Sequence, residues 1–120
     1  MIERIADLPD SVLGFTAKGK VTAADYETVL IPAVEAQFAQ QDKVRLLYHL
    51  GADFDGLEPG AMWDDAKLGF RHLTGWDRVA VVSDVEWIRI ALRVFGVVIH
   101  GKLRVFHNSE LDEAKRWITE

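Results

Sequence analysis

Strand-type and helix-type hydrophobic periods alternate along this sequence almost without interruption, and few architectures accommodate that alternation. Met1–Ala6 and Val12–Lys20 read as strands, the second with Leu13, Phe15 and Ala17 on one face. The Leu8-Pro9-Asp10-Ser11 turn between them predicts a hairpin. Thr22 and Asp25 form a T-x-x-D cap before a helical stripe of Tyr26, Val29, Leu30, Ala33, Val34 and Phe38, and Pro32 inside that stripe predicts a kink. Val44–Leu50 is almost continuously apolar, as a central strand should be. Then come a loop from Gly51 to Gly60, a helix over Ala61–Leu73, a strand over Val79–Ser83, a helix over Val85–Ile99 and a strand over Leu103–Phe106. Ser109 with Asp112 caps a last helix striped by Leu111, Ala114 and Ile118. The order β-β-α-β-α-β-α-β-α predicts an α/β fold with a mixed, mostly parallel sheet of about five strands and about four helices, its first strand antiparallel at an edge.

Length and composition narrow the classes of function. A chain of 120 residues is expected to form a single domain over 1–120. The formal net charge of −5 weighs against a nucleic-acid binder, which needs a concentrated basic surface. With no cysteine, disulfides, thiolate catalysis and cysteine-ligated metals are excluded. Met1-Ile2 runs at once into Glu3-Arg4 with no apolar leader, and no stretch is long enough to span a bilayer, so the expected address is cytoplasmic. The charge is unevenly spread. Residues 1–65 carry net −7, whereas residues 66–107 carry 7 basic and 3 acidic groups, net +4.

Candidate catalytic groups are sparse. The Gly51–Gly60 loop holds Asp53, Asp55 and Glu58, but lacks the further spaced oxygens of a calcium loop, so it reads as a solvated turn with helix-capping acids, with no metal expected. None of His49, His72, His100 and His107 forms a metal-binding pair at helical spacing, and no G-x-S-x-G or phosphate-binding glycine motif occurs. Asp65 and His72, seven residues apart on one predicted helix, are the best general-base pair available. The expectation is a non-enzyme with no cofactor, and an Asp65/His72 hydrolase stands as the catalytic alternative.

The least ordinary segment is residues 87–99. Ten of its thirteen residues are apolar, and only Arg89 and Arg93 are charged. A helix on the surface of a two-layer domain should expose a polar face, and this one has almost none. It could line a homodimer interface, cover a hydrophobic pocket, lie in a membrane interface, or simply be internal. If it packs beside the preceding helix, Trp63, Phe70, Trp87 and Phe95 would line a groove for an apolar ligand. The alternative is that these aromatics only fill the core.

The succession of elements resembles the SpoIIAA-like, or STAS, fold of the anti-sigma-factor antagonists, and more closely a bacterial group of small stand-alone SpoIIAA-like proteins. The residues that carry the resemblance are Asp25-Tyr26 with Ile31-Pro32-Ala33-Val34-Glu35, then Val44-Arg45-Leu46-Leu47, Trp63-Asp64-Asp65 before Lys67, and His72. They continue with the run from Asp77 to Asp84, Trp87, Arg104-Val105-Phe106, Glu110-Leu111 with Ala114, and Trp117-Ile118. The antagonists are switched by phosphorylation of a serine at the helix following the third strand, but residues 51–60 contain no Ser or Thr. Similarity to SEC14-type lipid carriers implies instead an apolar ligand and membrane association.

Together these readings predict a binding module for a lipid-like or other apolar small molecule, peripheral to the inner face of the membrane. Trp87, Ile88, Arg89, Arg93 and Phe95 would meet the membrane or a partner, and Arg71 would join the arginines at anionic headgroups. The alternative is an antagonist-type protein-interaction module or homodimer that uses the same helix.

Overall fold

A computed structural model describes residues 1–99 and 101–120; His100 lies outside the described residues. Five strands form one sheet: β1 (Ile2–Arg4), β2 (Val12–Val21), β3 (Val44–Leu57), β4 (Trp76–Ser83) and β5 (Lys102–Phe106). They lie in sequence order, with β1 antiparallel to β2 and all other neighbours parallel. The helices are α1 (residues 23–40), α2 (Pro59–Arg71), α3 (Glu86–Val98) and α4 (Leu111–Thr119). A sheet that grows in one direction through crossovers of one hand places every crossover helix on the same face. Accordingly, Tyr26, Leu30 and Val34 of α1, Ala61 and Leu68 of α2, and Ile88 of α3 share one core with Leu13, Phe15, Leu46, Tyr48 and Val81. The opposite face is left to α4, whose Ala114 and Ile118 pack with Leu47, Ala80, Val82 and Phe106.

Two local features differ from the sequence expectation, and a third, at Pro32, gives it a detailed form. Residues 51–57 are strand, not loop. β3 runs on to Leu57, pairing Phe54 with Gly19 and Leu57 with Val21 across two register shifts, both with the extra residues on β3. The shifts flank Gly19, whose φ of 61° favours a residue without Cβ, and the residues inserted opposite it in β3 form the bulge. Asp53 and Asp55 then point to solvent while Phe54 and Leu57 pack against the core, and Glu58 makes no capping bond to α2.

Pro32 does not end α1. Residues Tyr26–Leu30 instead widen into a π turn, with the Ile31 N–H donating to the Tyr26 carbonyl. Proline has no N–H and its ring crowds the carbonyl four residues earlier, so a wider turn at that point lets the helix continue. The last helix is entered through a 3-10 turn (Asn108–Glu110), and the capping acid is Glu110, whose Oε1 accepts from the His107 N–H at 2.7 Å, rather than the Ser109–Asp112 pair.

The end of α4 is firmly held. Arg45 Nη1 donates to the Ile118 and Glu120 carbonyls at 3.1 and 3.0 Å, and its Nε meets Asp77 Oδ2 at 2.7 Å. Arg78 donates to the Trp117 carbonyl at 2.7 Å. Guanidinium groups at the carbonyl end of a helix satisfy otherwise unpaired acceptors and oppose its dipole.

Candidate functional site

Helices α2 and α3 behave differently from α4. Of the residues in α3 only Ile88 is buried, while Trp87, Ile90, Val94 and Val97 are 47, 50, 69 and 83% exposed. Beneath and between α2 and α3 lies a cavity of about 430 Å³, within the usual range for a small-molecule site. Its floor is Leu46, Tyr48, Leu50, Val79 and Val81 of the sheet, and its walls include Met62, Ala66 and Phe70 of α2 and Trp87, Ala91, Leu92 and Phe95 of α3. The two helices meet edge to face through Phe70 and Phe95, whose ring centres are 5.7 Å apart. Gly69 makes this approach feasible, since a Cβ there would fall 2.9 Å from Phe95 Cζ.

Helical geometry sorts the predicted groove residues. On α2 the cavity receives positions 62, 65, 66, 68, 69 and 70, one broad face of a 3.6-residue period. Trp63 falls off that face; it is 66% exposed and has the Lys67 ammonium 5.9 Å from its ring centre. Phe70, Trp87 and Phe95 do line the cavity. Among the residues expected to meet a membrane or partner, Ile88 is buried under α3. Arg89 is tied down by Nη1 bonds to the Ser83 and Phe106 carbonyls at 2.9 and 3.0 Å. Arg93 is exposed beside Ile90, Val94 and Val97, and Arg71 lies 3.6 Å from Glu35.

Asp65 and His72 are not partnered. His72 Nε2 meets Glu35 Oε1 at 2.7 Å, and its ring stacks on Phe38 with centres 3.9 Å apart. Asp65 instead accepts from the Tyr26 hydroxyl at 3.0 Å, and the Tyr26 and Tyr48 hydroxyls are 3.0 Å apart. Because the single hydroxyl proton of Tyr26 goes to Asp65, Tyr48 must donate to Tyr26. A directed chain therefore runs Tyr48 to Tyr26 to Asp65 at one end of an otherwise apolar cavity. The two tyrosines were legible only as core residues. The available signal was that a buried phenol needs a partner, with an acid seven positions along from Glu58 on the helix that packs over them.

Asp65 lines the cavity and is exposed there, while its bond with Tyr26 is partly buried. Removal from water pushes its carboxyl above the usual 3.8, and the Tyr26 bond only partly offsets this. Burial also raises both phenols, so they remain donors. The folded chain therefore holds the Asp65 proton more tightly than the unfolded chain. Stability from this group should fall as pH rises from about 4 through the raised folded value, and level off beyond it. Asp65→Asn, which can still accept from Tyr26, should gain stability relative to the native chain over that interval. Urea midpoints for both proteins across the interval test this, and a constant difference would contradict it.

Among the described residues no group of three or more His, Asp or Glu could hold a metal ion, and no helix is long and apolar enough to cross a membrane. A family profile described as SpoIIAA-like matches residues 12–119. The chain belongs to the SpoIIAA-like family. Among solved structures it is similar to an uncharacterised protein of the DUF3478 family from Shewanella loihica PV-4, which has a SpoIIAA-like fold. The two share 31% identity with a TM-score of 0.76, over 98% of this chain and 92% of that one. No match was found among curated proteins. The family and the relative thus agree with the mixed five-stranded fold expected from the SpoIIAA-like resemblance.

Proposed function

We propose that this SpoIIAA-like protein is a non-enzymatic binding module that holds an apolar, lipid-like small molecule between α2, α3 and the sheet. The observation that carries this reading is the cavity of about 430 Å³, whose walls are almost wholly aliphatic and aromatic. An apolar molecule held in a space of that size gains the close packing that a core normally provides. Membrane contact belongs to the same reading. Ile90, Val94 and Val97 form an exposed apolar stripe on α3 with Arg93 beside it, suited to acyl chains and anionic headgroups. The second reading, a homodimer or protein-interaction module, draws on that stripe too.

Native mass spectrometry of the purified protein separates these readings. The expected spectrum is a monomer carrying copurified apolar ligand, and a ligand-free dimer would favour the interaction module. Sedimentation with anionic vesicles at low salt should retain the protein and added salt should release it. Failure to sediment would remove the membrane half of the proposal.

A further inference from the structure

We infer that the cavity selects an apolar ligand bearing a hydrogen-bond donor, preferentially a protonated amine, whose head group docks on Asp65. This deepens the binding-module reading and rests on it. The inference follows from hydrogen-bond accounting at the polar end of the cavity. Tyr48 donates to Tyr26, and Tyr26 donates to Asp65 Oδ1 at 3.0 Å. Both phenolic protons are thus committed within the chain. What remains for a ligand is acceptor capacity, chiefly Asp65 Oδ2, which has no hydrogen-bond partner among the described residues.

Charge points the same way. Among the described residues lining the cavity, Asp65 is the only charged one, and no Lys, Arg or His is present. A fatty-acid carboxylate or a phosphate inside would meet neither a counter-charge nor a free donor, and would face the Asp65 carboxylate among apolar walls. An ammonium would supply the missing donor and neutralise the carboxylate that burial disfavours. Aromatic side chains in the wall, among them Trp76, Trp87 and Phe95, add surfaces that attract a cation. The arginines that could bind an anionic head are elsewhere: Arg89 is engaged with two carbonyls, and Arg93 does not line the cavity.

Three probes with one apolar body test the inference: naphthylethylamine, naphthylethanol and naphthylacetate, titrated calorimetrically into the full chain at neutral pH. The expected order is amine, then alcohol, then acid, with the amine at least about tenfold tighter than the acid. Asp65→Asn should bring the amine down to about the level of the alcohol. An acid that binds as tightly as the amine, or an amine indifferent to Asp65→Asn, would overturn the amine assignment while the cavity reading stands. Binding by none of the three would overturn both. The ranking in the native chain decides the matter even where the variant folds poorly.

Discussion

Ala91→Trp should abolish uptake of a neutral apolar dye such as Nile red while leaving the fold intact. Ala91 lines the cavity from α3, and the residue retains accessible surface, so an indole added there extends into space that no protein atom occupies. Overpacking is costly where a core is already dense, but here the added ring fills a void and gains contacts. Affinity for the dye should drop by more than about tenfold, because the indole takes the volume that the probe needs. The thermal midpoint should stay level or rise. Val97→Trp is the matched control: it lies on the same helix, is 83% exposed and does not line the cavity, so dye binding should be unaffected. Native-like dye affinity in Ala91→Trp, with unchanged circular dichroism, would mean that apolar ligands bind somewhere other than between α2 and α3.

The elements that are packed on both sides were readable from their residues. Val44–Leu50 and Val79–Ser83 are short apolar runs with β-branched content, and they became the central strands β3 and β4. The extension of β3 was missed because Gly51, Gly56 and three acids outweighed a weak period-2 alternation, Asp53-Phe54-Asp55, which is the pattern of a strand with one wet face. The apolar excess of α3 correctly marked an unusual helix, since its side chains border a cavity and solvent rather than a closed core. Which of the aromatics line that cavity depends on helical phase, and Trp63 is one position off the facing stripe. The Tyr48–Tyr26–Asp65 chain was beyond reach, because it joins three elements, two of which carry an irregularity, the bulge in β3 and the π turn in α1. Neither feature has a signature that periodicity alone detects.

Two phenylalanine truncations should differ widely in cost, and the difference tests whether the cavity wall is built more loosely than the scaffold beneath it. Phe106 is 1% exposed, packs beside Trp117 with ring centres 6.0 Å apart, and has the Arg104 guanidinium 4.6 Å from its own ring centre. Its neighbours on α4 are fixed by Arg45 and Arg78, so they cannot collapse into the space that Phe106→Ala would leave. That variant should lose about 3–5 kcal/mol, the range for a fully buried aromatic ring. Phe95 is only half-buried and faces Phe70 across the mouth of the cavity. Removing its ring enlarges a space that already exists, so Phe95→Ala should cost about 1 kcal/mol, typical of an average substitution. Urea unfolding of the two variants beside the native chain measures both losses. A wall that is weakly held relative to the global stability can open locally without unfolding the sheet, as entry of a ligand between α2 and α3 requires. Equal losses for the two variants would show instead that α3 is as firmly packed as α4, and that ligand entry must occur without displacement of that wall.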